Sequence, residues 1–152
     1  MGNCAPNDRS DSDRLIGTWK IDSVISEVVD QNSHATSHHA NWHGYITLTA
    51  AHRAIVIQTA KDRPIPDTDE EYIYSFCSMI AYSGKYVIIG NKIVITVDIA
   101  WNESWNGTDQ TLSYRLESDQ LIIEDGLKTY SDIPGHSIRV IWTCKRDCQG
   151  IN

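Results

Sequence analysis

No basic stripe runs anywhere along the 152 residues: 20 Asp and Glu outnumber 13 Lys and Arg, for a formal charge of −7. Such a surface repels phosphate backbones and anionic headgroups, which argues against nucleic acid as a partner and against a membrane surface. Long hydrophobic runs are missing too. The stretch from Ile93 to Ala100 is interrupted by Thr96 and Asp98 and is far too short to span a bilayer. Met1-Gly2-Asn3-Cys4-Ala5-Pro6 has no apolar signal core, so a cytoplasmic location is expected. Pro6 stands where a myristoylation pattern requires Ser or Thr, which favours a tail over an anchor. The four cysteines, Cys4, Cys77, Cys144 and Cys148, form no CxxC pair. In a reducing compartment they are expected to be free thiols, and Cys144 and Cys148 could bridge only if the C-terminal tail folds back. Nucleophile elbow, phosphate loop and dinucleotide fingerprint are all absent, so no hydrolase triad can be assembled and no nicotinamide or flavin cofactor is expected.

What is present reads as one β-rich domain. Hydrophobic content of 41% and charged content of 22% are ordinary for a globular chain of this length. Residues 1–13 are rich in Asn, Asp and Ser and are expected to be a disordered tail, with the folded domain over 14–146 and a short tail over 147–152. In Leu15-Ile16-Gly17-Thr18-Trp19-Lys20 a glycine precedes a tryptophan by two residues, which lets the chain turn beneath a ring that can plug the end of a small barrel. Strand patterning runs from Ile16 to Val28, followed by a polar, His-rich segment over 30–43 expected to be a loop. Gly44–Thr49 and Ala54–Thr59 pair as a hairpin around Ala50-Ala51-His52-Arg53. Lys61-Asp62-Arg63-Pro64-Ile65-Pro66 stops the sheet. Thr68-Asp69-Glu70-Glu71 is a capping box, and Tyr72, Phe76, Met79 and Ile80 follow on one helical face, predicting one short helix near 68–80 that lids a barrel mouth. After Gly84 come strands at Lys85–Ile89, Lys92–Trp101, Gln110–Glu117, Gln120–Glu124 and, after a looser stretch ending at Pro134-Gly135, Ser137–Lys145. The predicted class is all-β, an antiparallel up-and-down barrel of about eight strands.

The order Gly17-Thr18-Trp19, Asp62-Arg63-Pro64, Ile80-Ala81-Tyr82-Ser83-Gly84-Lys85-Tyr86, Trp105-Asn106-Gly107-Thr108-Asp109-Gln110 and Trp142 resembles the short lipocalin-like domain proteins of the calycin type, over roughly residues 14–145. The resemblance implies a barrel around a small-molecule cavity, without a shared reaction, in proteins some of which sit near secondary-metabolite pathways. It also implies a basic side chain, from Lys145-Arg146, stacked over Trp19 to close one end. Where relatives often carry His and Glu in the strand resembling 93–100, Thr96 and Asp98 stand here. Where relatives commonly have Arg two residues after the Gln, Leu112 stands here, which points to a more apolar cavity and a different ligand.

Candidate chemistry centres on Asp98, flanked by Val97 and Ile99. A carboxylate facing an apolar cavity would have a raised pKa suited to general acid or base work. Strand parity leaves two orientations open, since Asp98 can equally face solvent while Ile95, Val97, Ile99 and Trp101 line the inside. Tyr86 and Tyr114 alternate with inward apolar residues, and each phenol needs a partner, either ligand or protein. The expected substrate-binding set is Trp101, Trp105, Trp42, Tyr45, Leu112 and Phe76, although the direction of Tyr45 is ambiguous. His34, His38, His39 and His43 invite a metal, but the segment is turn-prone and carries no carboxylate, so loop histidines without metal are expected. Three readings follow: a cofactor-independent isomerase or cyclase acting on a polyketide- or terpenoid-like hydrophobe, with Asp98 as acid or base and Tyr86 and Tyr114 as hydrogen-bond donors; a non-catalytic carrier of a hydrophobic small molecule; or a surface-interaction module using the helix and the His-rich loop. An exposed edge or aromatic rim could support a homodimer.

Overall fold

Gly17 opens the first strand with φ +137°, and a Cβ there would lie 2.9 Å from Arg146 Nη1, so both backbone and space demand glycine. The computed structural model describes residues 10–129 and 135–148. The expected tail over residues 1–9, residues 130–134 of the looser stretch and the last four residues lie outside the described residues. From Gly17 the chain runs through β1 (Gly17–Val29), β2 (Ala35–Ala40), β3 (Trp42–Leu48), β4 (Arg53–Ala60), helix α2 (Asp69–Cys77), β5 (Met79–Ile89), β6 (Lys92–Ala100), a 3-10 turn at Glu103–Trp105, β7 (Asp109–Glu117), β8 (Gln120–Thr129) and β9 (Ser137–Arg146). Every pairing is antiparallel, and β9 returns to β1, closing an eight-strand barrel from β1 and β3–β9 with β2 as one extra strand.

Period-two patterning builds the interior. Ile46 and Leu48, Ala54 and Val56, Tyr82 and Tyr86, Ile93 and Ile95, Leu112 and Tyr114, and Leu121 and Ile123 are buried, while Tyr45, Ile55, Ile57 and Val87 between such positions are exposed. One end is sealed. Helix α1 (Asp11–Leu15), capped by Ser10, tucks Leu15 under the barrel, and Trp19 Nε1 donates to the Leu15 carbonyl at 2.9 Å. Trp19 is fully buried, and Arg146 lies over its ring at 4.2 Å from the centroid. The closure expected from Gly17-Thr18-Trp19 and Arg146 is therefore the one observed.

Several expectations are corrected. Residues 10–13, assigned to a disordered tail, belong to α1 and its cap. The His-rich segment is not all loop: β2 pairs with the second half of β1, Val24 opposite Ala40 through Val29 opposite Ala35. Almost every side chain of β2 is exposed, so the apolar alternation that betrays a strand is missing, and His38 and His39, adjacent on it, point to opposite faces. The capping box forms, with Thr68 Oγ1 accepting from the Glu71 amide at 3.3 Å and Glu71 Oε2 accepting from the Thr68 amide at 3.2 Å. The helix ends at Cys77, however, because the Ser78 carbonyl accepts from the Ala60 amide and Met79 and Ile80 start β5. No residue of α2 is buried; Tyr72 and Phe76 sit beside the mouth without plugging it. Among the described cysteines, Cys77 and Cys144 are free, whereas Cys148 is disulfide-bonded; Cys144 faces the core and cannot be its partner.

Candidate functional site

The decisive local event is a bulge in β6. Gly84 pairs with Val97 and Ser83 with Ile99, so Asp98 is an extra residue and the inward-outward phase flips there. Val97 stays inside, Asp98 and Ile99 both face outward, and Ala100 turns back to the core. Gly84 makes room for this: a Cβ would lie 2.0 Å from the Thr96 carbonyl oxygen.

Asp98 consequently lies outside the barrel, about half exposed, and is gripped by Arg53 through Nη1–Oδ1 at 3.0 Å and Nη2–Oδ2 at 2.8 Å. Arg53 also donates to Ser83 Oγ, which donates to the Ala54 carbonyl, so the ion pair staples β4, β5 and β6. The hydrogen bond from Arg53 holds the Asp98 carboxyl below its ordinary range, opposite to the rise that a cavity would cause. Asp98 is thus removed as an acid or base acting inside the cup.

Tyr86 and Tyr114 do point inward, but at the sealed end. Tyr86 Oη donates to the Thr49 carbonyl at 2.9 Å and Tyr114 Oη to the Gly90 carbonyl at 3.4 Å, tying two hairpin turns to the core. Burial raises both phenols, and neither lines the cavity. Tyr45 is exposed on the outer wall. Trp42 packs half-buried at the rim, away from the cavity lining.

The cavity itself, about 60 Å³, lies toward the opposite mouth. Ile46, Val56, Leu112 and Ile123 form its apolar wall, and Trp105, Tyr82 and Ile80 its upper part. Of the expected binding residues, Leu112 and Trp105 line it directly. Trp101 and Phe76 extend outward from it: Tyr82, Trp105, Trp101 and Phe76 form a chain of tilted or edge-on rings, 5.3, 5.0 and 6.2 Å between successive centroids. Trp101 Nε1 donates to the Phe76 carbonyl, fastening α2 to this stack.

The polar groups of the cup, Gln58, Tyr82, Gln110 and Asp125, lie outside the expected binding set. Gln58 is 5% exposed, and its Oε1 accepts from Trp142 Nε1 at 3.0 Å across the barrel. Its amide nitrogen has no acceptor among the described residues. Tyr82 is 8% exposed, and its hydroxyl likewise has no hydrogen-bond partner among them. Burial, then the negative charge of Asp125, pushes the Tyr82 phenol upward, so it stays a neutral donor. Gln110 Nε2 donates to Thr108 Oγ1, and Asp125 completes the lining. Tyr82, Gln110 and Trp142 all stand in the segments that carried the family resemblance. Gln58 alternates with Ala54 and Val56 on β4, a period that marks it as inward. Asp125 sits one residue past the expected end of its strand at Glu124.

A closed antiparallel barrel, plugged by a Trp and an Arg at one end and hollow toward the other, defines the class of small-molecule-binding β-barrels. Residues 16–146 match the lipocalin-like domain family, and the chain belongs to that family. No curated protein sequence matches the chain. Among the described residues, no helix is long and apolar enough to cross a membrane.

Proposed function

We propose that the cup binds a compact, largely apolar molecule carrying one acceptor oxygen, a ketone or ester for example, through hydrogen bonds from the Tyr82 hydroxyl and the Gln58 amide. The observation that supports this is a pair of cavity-lining donors, the Tyr82 hydroxyl and the Gln58 amide nitrogen, that have no acceptor among the described residues. A ligand that displaces water from such donors without accepting from them leaves them unpaired at a cost of about 1–3 kcal/mol, so an acceptor oxygen is favoured over a hydrocarbon. The volume favours a small ligand, since pockets that enclose drug-sized molecules run to about 300–1,000 Å³. A polyketide or terpenoid skeleton would require the Trp101–Trp105–Phe76 stack to open.

The catalytic reading, an isomerase or cyclase shifting a proton within a hydrophobic substrate, now runs through Asp125 rather than Asp98. The presence of a carboxylate beside the Tyr82 phenol in the cup favours it, because polarising a carbonyl and moving a proton next to it need such a pair.

Titration of the full chain with cyclohexanone, followed by 1H–15N NMR, separates these ideas. Saturable shifts at Gln58, Tyr82 and Leu112, absent with methylcyclohexane, are expected. Equal shifts with the hydrocarbon, or none with the ketone, would remove the acceptor-oxygen reading. Once a substrate is identified, catalysis requires Asp125→Asn to abolish turnover while Asp98→Asn leaves it intact.

A further inference from the structure

The wall of the barrel is incomplete at one seam. Strand β1 pairs with β3 only from Gly17 to Lys20, Lys20 lying opposite Tyr45, and resumes with β2 at Val24 opposite Ala40. Ile21, Asp22 and Ser23 therefore have no partner on that side, and on β1's other flank Asp22 is the extra residue of a bulge against β9. Where β1 departs, the β3–β4 ladder is uncovered, and an outer groove of about 280 Å³ opens, larger than the interior cavity. Its floor is Gln58 and Gly44. Its walls are the exposed Tyr45 and Ile57, and Lys20, His43 and Thr59 edge it. Gly44 is required here, since a Cβ would meet the Ile57 carbonyl oxygen at 2.1 Å.

Charge gives the groove a sign. The nearby Lys145 is matched by Asp22 at 3.2 Å, whereas Lys20 has no carboxylate partner among the described residues. His43 Nε2 is engaged by Thr59 Oγ1 at 3.0 Å, which leaves Nδ1 for another contact. In a chain of net charge −7, this is a local cationic spot beside an aromatic ring, in the row Lys20, Tyr45, Ile57 across β1, β3 and β4. Gln58 lines both the groove and the cup, so a single residue of β4 separates the two spaces.

We propose that this seam is a second ligand site, separate from the cup, for a small aromatic carboxylate: the ring lies over the cross-strand pair Tyr45 and Ile57, and the carboxylate is held by Lys20 with His43. Ring contact supplies apolar area and the lysine supplies selection for the anion. The groove is too shallow for the anion to be fully desolvated, so affinity is modest and depends on ionic strength.

The test uses the full chain and 2-naphthoate, with 2-naphthamide as the uncharged counterpart, read by 1H–15N NMR. Saturable shifts are expected at Lys20, His43, Tyr45 and Ile57. The dissociation constant should rise about fivefold in Lys20→Gln, as an exposed ion pair of about 1 kcal/mol would give, and rise again between 20 and 300 mM salt. Tyr45→Ser should weaken naphthoate and naphthamide alike. Both variants place exposed side chains outside the core, and their spectra show directly that they are folded. Shifts confined to cup residues such as Leu112 and Ile123 would overturn the site while leaving the cup reading standing. Equal affinity for acid and amide, an unchanged constant in Lys20→Gln, or a concentration-dependent dimer that buries Tyr45 and Ile57 would each overturn it as well.

Discussion

Arg146 lies over the Trp19 ring, 4.2 Å from its centroid, and donates to the Ile16 carbonyl at 3.0 Å and to the Arg14 carbonyl. One side chain from the last strand therefore holds the first strand, the turn before it and α1. Burial lowers the Arg146 pKa from its ordinary value, and a guanidinium is a cation throughout the working range of a protein. Because the barrel closes by joining β1 to β9, this contact fastens the seam that is most distant in sequence.

Arg146→Ala should cost about 2 kcal/mol, combining a partly desolvated cation–π contact with the carbonyls left unpaired. Arg146→Lys should recover less than half, because an ammonium cannot stack flat and donate in a fork at once. Gly17→Ala should act in the same direction, by straining φ +137° and displacing Arg146 Nη1. Urea unfolding monitored by Trp fluorescence measures all three, and a cost for Arg146→Ala below about 0.5 kcal/mol would deny the contact its closing role.

Asp98→Asn tests the outer staple. The folded-state pKa of Asp98 is depressed by Arg53, so its stabilisation is present above the ordinary carboxylate range and is lost as pH falls through the folded value. The melting temperature of the variant should therefore sit below that of the parent by a constant amount above about pH 5, and the gap should shrink as the pH drops toward 2.5. A gap that widened in acid would show the opposite sign of shift and restore the cavity-facing orientation. Ligand shifts at cup residues should be the same in parent and variant.

Asp98 also shows where reading the sequence runs out. Strand existence and most inward residues followed from period-two patterning, and the Trp19 plug from the glycine two residues before it, all of them local properties. The orientation of Asp98 depended on a bulge, and the bulge depends on Gly84 of the neighbouring strand, a relationship between strands that no window of one strand contains. The same limit hid β2, whose partner is an uncovered edge of β1 rather than its own apolar pattern. Tyr86 and Tyr114 were correctly placed inside, yet their partners are carbonyls of turns distant in sequence, so a buried phenol could not be told from a ligand-binding one. Ala81-Tyr82-Ser83-Gly84, carried only as a resemblance, now has a physical account: Tyr82 enters the cup, Ser83 joins Arg53 to Ala54, and Gly84 admits the bulge.

Thiol reactivity offers a simple check of the core. Cys77 is exposed at the end of α2, whereas Cys144 is fully buried, and burial pushes its thiol up to about 12. In the native protein without reductant, an aromatic disulfide reagent should label Cys77 rapidly and Cys144 only at the rate of unfolding. Cys77→Ser should then leave no fast-reacting thiol among the described residues. Fast labelling of Cys144 in that variant would mean that the β8–β9 side of the core opens locally.

Tyr82→Phe separates a cup built for a ligand from one that is merely imperfectly packed. In the free protein the hydroxyl has no partner among the described residues, so its removal should leave stability unchanged or raise it by up to about 1 kcal/mol. Tyr86→Phe, by contrast, removes a donor from the Thr49 carbonyl and should destabilise by about 1 kcal/mol. For cyclohexanone the order reverses: Tyr82→Phe should weaken binding by about tenfold, since about 1.4 kcal/mol of hydrogen bonding goes with it, and Tyr86→Phe should leave binding unaltered. Gln58→Leu should weaken binding similarly, with an added stability cost because the Trp142 indole loses its acceptor. If Tyr82→Phe instead destabilised the free protein as much as Tyr86→Phe does and left ketone binding untouched, the Tyr82 hydroxyl would belong to the fold, and the acceptor-oxygen ligand would have to be abandoned.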